Sequence, residues 1–72
     1  MYNKNLTQLP QLPQSLFLLE CQNNNLTQLP QLPSSLTDLD CRWNNLTELP
    51  STIGNLTKLK KLYVLNNKLI LL

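Results

Sequence analysis

Histidine and alanine are absent from this chain, and glycine occurs once. Without histidine the commonest general base and metal ligand is missing, and no Cys–His pair can be assembled. Charge is also scarce. Six cations and four anions leave a net charge of +2, too weak to argue for nucleic acid, which requires a clustered basic face. No apolar run approaches the roughly 18 residues that span a bilayer. The start shows no basic segment followed by an apolar stretch, the pattern of an export signal. An intracellular setting is therefore expected, with Cys21 and Cys41 as free thiols in a reducing compartment.

What is present is as biased as what is missing. The 72 residues include 20 leucines, 10 asparagines, 6 glutamines, 6 threonines and 5 prolines. A chain of this length makes one domain with a small core, burying roughly 60% of its unfolded surface. Leucine and asparagine together supply 30 of the 72 positions, a bias that points to a periodic architecture. Charge is unevenly placed. Lys4 stands against Glu20, Asp38 and Asp40 up to residue 41, whereas Arg42, Lys58, Lys60, Lys61 and Lys68 stand against Glu48 after it.

The period is explicit. Asn5-Leu6-Thr7-Gln8-Leu9-Pro10-Gln11-Leu12-Pro13 returns unchanged at 25 to 33, an offset of 20, and Asn45-Leu46-Thr47-Glu48-Leu49-Pro50 repeats its opening. Leu69 continues the series Leu6, Leu26, Leu46 after a step of 23. The template L-x-x-L-x-L-x-x-N/C-x-L is met by Leu16, Leu19, Cys21, Asn24 and Leu26, then by Leu36, Leu39, Cys41, Asn44 and Leu46. A third set is Leu59, Leu62, Val64, Asn67 and Leu69, and Met1 stands where Cys21 and Cys41 stand. The units read as a partial repeat 1–15 and repeats 16–35, 36–58 and 59–72, the last truncated.

On these residues the whole chain resembles the leucine-rich-repeat family. Residues 16 to 35, closing on Leu29-Pro30-Gln31-Leu32-Pro33, are similar to the 20-residue repeats of bacterial effectors, several of which carry a ubiquitin-ligase domain after the repeats. The unit from 36 to 58, with Leu49-Pro50-Ser51-Thr52-Ile53-Gly54-Asn55-Leu56-Thr57, is similar to 23-residue repeats of plant and other intracellular proteins. The resemblance implies an α/β-type solenoid: a short right-handed superhelix with a three-stranded parallel concave sheet and Pro-rich extended or 3-10 convex limbs.

Elementary geometry leads to the same expectation. Alternate residues of a strand face opposite sides, so Leu19 and Cys21, Leu39 and Cys41, and Leu62 and Val64 are expected to share one core. Stacked repeats pair such strands in parallel about 4.8 Å apart. Pro10, Pro13, Pro30, Pro33 and Pro50 suit an extended return limb, because proline neither continues a helix nor donates to a sheet. Asn24, Asn44 and Asn67 are expected to form a ladder whose amides satisfy main-chain groups of the turns. The three extra residues of the 36–58 unit predict a short 3-10 turn around Thr52 to Asn55.

Candidate chemistry is thin. Cys21 and Cys41 occupy the slot Val64 fills later and read as small core residues; a cross-repeat disulfide is the alternative, and two thiols alone make no metal site. Four Asn-x-Thr sequons begin at Asn5, Asn25, Asn45 and Asn55, three of them copies of the repeat, and glycosylation would require a secretory route. Neither a cofactor, a metal, a small-molecule substrate nor a catalytic residue is expected, since three strands side by side make a shallow face.

The outward strand positions vary while the frame is nearly constant. Phe17, Leu18, Glu20, Asp38, Asp40, Arg42, Trp43, Lys61, Tyr63 and Leu65 form the expected partner-binding face, with Arg42, Trp43 and Tyr63 at its centre; packing across the strands alone is the competing reading. Glu20 is expected beside Asp40 as a like-charge pair, and Asp38 beside Lys61 as an opposite one. Leu6, Leu9 and Leu12 at one end and Leu69, Ile70, Leu71 and Leu72 at the other are expected to lie uncovered, so that either further repeats or identical copies cover them. The expected function is a non-enzymatic protein–protein interaction module, self-associating by end-to-end stacking into a homo-oligomer. The alternatives are the substrate-recognition part of a ubiquitin-ligase effector and a purely structural, filament-forming tile. No nucleic acid and no membrane enter any of these readings.

Overall fold

The computed structural model describes residues 1–70, and its main feature is a three-stranded parallel sheet with one strand from each successive repeat. Strand β1 is Leu18–Glu20, β2 is Asp38–Asp40 and β3 is Lys61–Tyr63, in the order β1-β2-β3. The only helix among the described residues is a 3-10 turn, η1, at Ser51–Asn55.

The register follows the repeat. Leu19 pairs with Leu39 and Leu39 with Leu62, so strand neighbours are the residues 20 and then 23 positions apart. The pairing runs on past the strands. Cys21 N–H donates to Asp40 O at 2.9 Å and Cys41 N–H to Tyr63 O at 3.0 Å. Farther along, Asn25 N–H reaches Leu6 O and Asn45 N–H reaches Leu26 O, both at 2.8 Å. Each strand is entered through a tight turn, closed by Leu16 N–H to Pro13 O, Leu36 N–H to Pro33 O and Leu59 N–H to Leu56 O. The four prolines at 10, 13, 30 and 33 lie outside strand and helix, as their missing N–H requires.

One alternate face of every repeat points inward. Leu26, Leu36, Leu39, Leu46, Cys21 and Cys41 have essentially no exposed surface, and each such leucine contributes about 1.5–3 kcal/mol relative to staying in water. The last layer does not share this cover. Leu62 stands in the slot of Leu19 and Leu39 but keeps 40% exposure, and Val64 is half-buried. The burial expected for Leu62 is therefore incomplete: among the described residues no strand pairs with β3 on its far side.

At the other end the difference has the opposite sign. Leu9 and Leu12, expected to lie open to water, are buried at 9% and 7% exposure, and Leu6 is half-buried. These leucines pack into the same cluster as Leu29 and Leu32 of the next repeat. Leu69 is half-buried and Ile70 is 68% exposed, while Leu71 and Leu72 lie outside the described residues.

The asparagine ladder is present, and each rung ties two repeats together. Asn44 Oδ1 accepts from Leu26 N–H at 3.0 Å, and its Nδ2 donates to Cys21 O and Cys41 O at 3.1 and 3.0 Å. Asn67 does the same one repeat later, toward Leu46 N–H, Cys41 O and Val64 O. Asn24 accepts from Leu6 N–H and Lys4 N–H and donates to Cys21 O and Met1 O. Asn24 and Asn44 are each only 6% exposed, so these amides replace water for carbonyls that would otherwise be buried without partners.

Candidate functional site

The outward face of the sheet carries the variable residues, and the structure sorts them into two groups. The first centres on β2 and β3. Arg42 donates from Nη2 to Asp40 Oδ2 at 2.7 Å and from Nε to Asp40 Oδ1 at 2.9 Å, a two-bond ion pair between residues on one strand and its exit. The guanidinium carbon lies 5.1 Å from the centroid of the Tyr63 ring on the neighbouring strand, within range for a cation–π contact. The Arg42 hydrogen bonds hold the Asp40 carboxyl below its ordinary range, against a smaller opposing effect of burial, and raise Arg42 in turn.

This arrangement departs from the charge pattern expected along the rows. Asp38 does sit beside Lys61, and Glu20 beside Asp40, in register. The ion pair, however, forms between Asp40 and Arg42, and Asp38 Oδ1 accepts from Thr37 Oγ1 at 2.8 Å. Asp40, expected to face water, is only 8% exposed. Its carboxylate is capped by the Arg42 guanidinium, which also lies against the ring of Tyr63, the register partner of Asp40. Phe17 at 65%, Leu18 at 46% and Leu65 at 70% remain open on the same sheet, with Glu20, Lys61 and Tyr63 also exposed.

Trp43 belongs to the second group. It lines an open cleft of about 420 Å³ with Asn24, Asn25, Asn44, Asn45, Asn66, Asn67 and Lys68, where the strands run out into the asparagine turns. Arg42 and Tyr63 do not line this cleft. Trp43 also has a backbone that sequence reasoning missed. Its φ is +60°, in the left-handed region, matching Asn3 at +56°, Asn23 at +59° and Asn66 at +60°. In that region a Cβ crowds the following carbonyl at roughly 1–2 kcal/mol, which asparagine offsets better than any other side-chain-bearing residue. The signal was in the repeat: three of the four equivalent positions are asparagine and one is tryptophan.

The cysteines are withdrawn from chemistry. Both are free and fully buried. Burial first, and neighbouring negative charge second, push Cys21 up to about 12 and Cys41 to about 11. Thiolate is the reactive form, so at neutral pH both act as small apolar side chains. Cys41 Sγ lies 3.4 Å from Tyr63 O, a weak donor contact across β2 and β3. A second concavity, about 460 Å³, lies along the proline-rich segments between Gln11, Gln14, Gln31, Pro33 and Thr52. No cluster of three or more metal-binding side chains occurs among the described residues, and no helix there is long and apolar enough to cross a membrane. Compared with protein-family models, with curated proteins and with solved structures, the chain finds no significant match in any of the three.

Proposed function

We propose that this chain is a short leucine-rich-repeat solenoid that works as a non-enzymatic protein-interaction module and associates with further copies of itself through its end layers. The observation that carries this reading is where apolar surface lies. Among the described residues nine large hydrophobic side chains are exposed, and eight of them sit at the two ends of the stack: Met1, Tyr2, Phe17 and Leu18 at one, Leu62, Tyr63, Leu65 and Ile70 at the other. Apolar surface gathered in patches marks contact sites more reliably than scattered single residues do.

The ends also carry unpaired strand edges, β1 on one side and β3 on the other, and open edges are templates for further pairing. Charge disfavours contact between two last repeats. Lys60, Lys61 and Lys68 lie there, whereas the first end carries Glu20 and Lys4, which balance. Head-to-tail contact propagates unless its rotation closes into a ring. A two-fold contact of like ends is the competing geometry and would place the lysines against one another.

Sedimentation velocity across a wide concentration range tests the proposal. The wild-type chain is expected to grow with concentration, and the double substitution Leu62→Lys with Leu65→Lys is expected to sediment as a folded monomer. Association that does not strengthen as salt rises supports the head-to-tail arrangement, which has no lysine repulsion for salt to screen over about 8 Å at physiological ionic strength. Association that strengthens with salt supports the two-fold one. A wild-type chain that remains monomeric throughout overturns the reading.

A further inference from the structure

Trp43 is the ninth exposed hydrophobic side chain, and the end layers do not account for it. It lies in the repeat that has a strand neighbour on each side, at 56% exposure. It holds a left-handed backbone where Asn3, Asn23 and Asn66 hold the same conformation with a better-suited side chain. Neither folding nor solubility gains from an indole here: the backbone disfavours it and water surrounds most of it. A residue that breaks a local rule and leaves more than half of its surface open points to use by a ligand.

The surroundings of the indole specify the ligand. The cleft beside it is walled by six asparagines and Lys68, and Trp43 is its one aromatic residue. Asn24, Asn44 and Asn67 spend their amides on main-chain groups of the turns. Asn25, Asn45 and Asn66 take part in none of the side-chain hydrogen bonds that hold the layers together, and each amide offers both donors and an acceptor. One flat apolar platform bordered by free amides is poorly matched to most ligand classes. Single-stranded nucleic acid calls for a basic groove, and Lys68 is the only cation here. A methylated ammonium would be repelled by Lys68 and wants a cage of several rings. A proline-rich peptide likewise docks between aromatic residues.

A neutral pyranose meets every requirement. Its ring presents one face of C–H groups, which stacks on an indole, and a rim of hydroxyls that each donate and accept. We propose that Trp43 and the amides of Asn25, Asn45 and Asn66 form a binding site for a neutral oligosaccharide. The ring lies on the Trp43 indole and the hydroxyls are held by the amides of successive repeats. The inference does not depend on the self-association reading, which concerns the ends of the stack.

Because Trp43 is the sole tryptophan, its fluorescence reports the site directly. The chain would be titrated with cellohexaose, maltohexaose and chitohexaose at a fixed, low protein concentration. A saturable blue shift with at least one of them is the expected result. By calorimetry with that sugar, Trp43→Asn should fold and lose binding altogether. Asn66→Ala should weaken binding about three- to tenfold, the worth of one hydrogen bond. Three outcomes overturn the proposal: no shift with any of the sugars, binding that survives in Trp43→Asn, or a blue shift that follows protein concentration and ignores sugar.

Discussion

Strands β2 and β3 are built to one template and live in different surroundings. Leu39 and Leu62 occupy the same inward slot, are paired in register, and differ from no exposure to 40%. Cys41 is fully buried where Val64, larger and more apolar, is half-buried. Asn44 is 6% exposed, and Asn67 makes an equivalent set of bonds in a half-buried setting. Residue type therefore does not decide burial in this molecule. A neighbouring strand on each side does: β2 lies between β1 and β3, whereas β3 is paired on one side.

The sharpest way to break that comparison is to truncate both leucines. Leu39→Ala should cost about 3 kcal/mol or more, since it opens a cavity enclosed on both sides. In a domain this small such a loss is expected to abolish the folded state. Leu62→Ala should cost under about 1 kcal/mol, because its side chain already meets water. Urea unfolding of both variants at low protein concentration checks the ratio. Equal costs would mean that Leu62 is covered in solution.

The next contrast is Asn44→Ala against Asn67→Ala. The first leaves Leu26 N–H buried without a partner and removes a donor from the carbonyls of Cys21, Cys41 and Arg42, for an expected loss of about 2–4 kcal/mol. The second removes an amide that is itself half-open to water, which can enter in its place, and about 1 kcal/mol is expected. Hydrogen exchange would show it directly, with the Leu26 amide losing protection in Asn44→Ala.

The smallest effect concerns Asp40, whose ion pair belongs to the middle strand alone. Its carboxyl is held low by Arg42, so the stabilisation is complete above the ordinary carboxylate range and is lost as pH falls through the lowered value. The Arg42 side chain is 40% exposed, so solvent screening keeps the pair's contribution small. Asp40→Asn should therefore be only slightly less stable than the wild type at pH 7. The gap should close below roughly pH 4, near the unfolded carboxylate value, as followed by thermal melts.

Much of this layout was legible in the sequence, because an exact repeat fixes register as well as period. Once Asn5 to Pro13 is seen again at Asn25 to Pro33, the strand partners Leu19 and Leu39 follow, and so do the rungs Asn24, Asn44 and Asn67. The 3-10 turn at Ser51–Asn55 was visible as three residues beyond the shorter period. What escaped depended on neighbours that a template does not describe. The cover over Leu9 and Leu12 comes from the layer behind them. Asp40 pairs with Arg42, two residues along the same chain, and the guanidinium also lies against Tyr63. Trp43 was grouped with Arg42 by its place after β2, whereas a left-handed backbone at that residue sets it in the asparagine cleft.

The unchanged return of residues 5–13 at 25–33 also bears on how the chain reaches its fold. Two stretches with one sequence are interchangeable tenants: either satisfies the leucine slots and the main-chain bonds of the other's layer. A folding chain that seats the first copy in the second copy's place loses no side-chain fit there and strands some twenty residues as a loop. Near-identical repeats are prone to this kind of misassembly. Both copies present the same side chains to η1 and the buried Leu56, so fit within the copied stretch does not tell them apart. What does is the chain outside it: a misplaced copy pays for closing the stranded loop and leaves the leucines of its own layer without their partners.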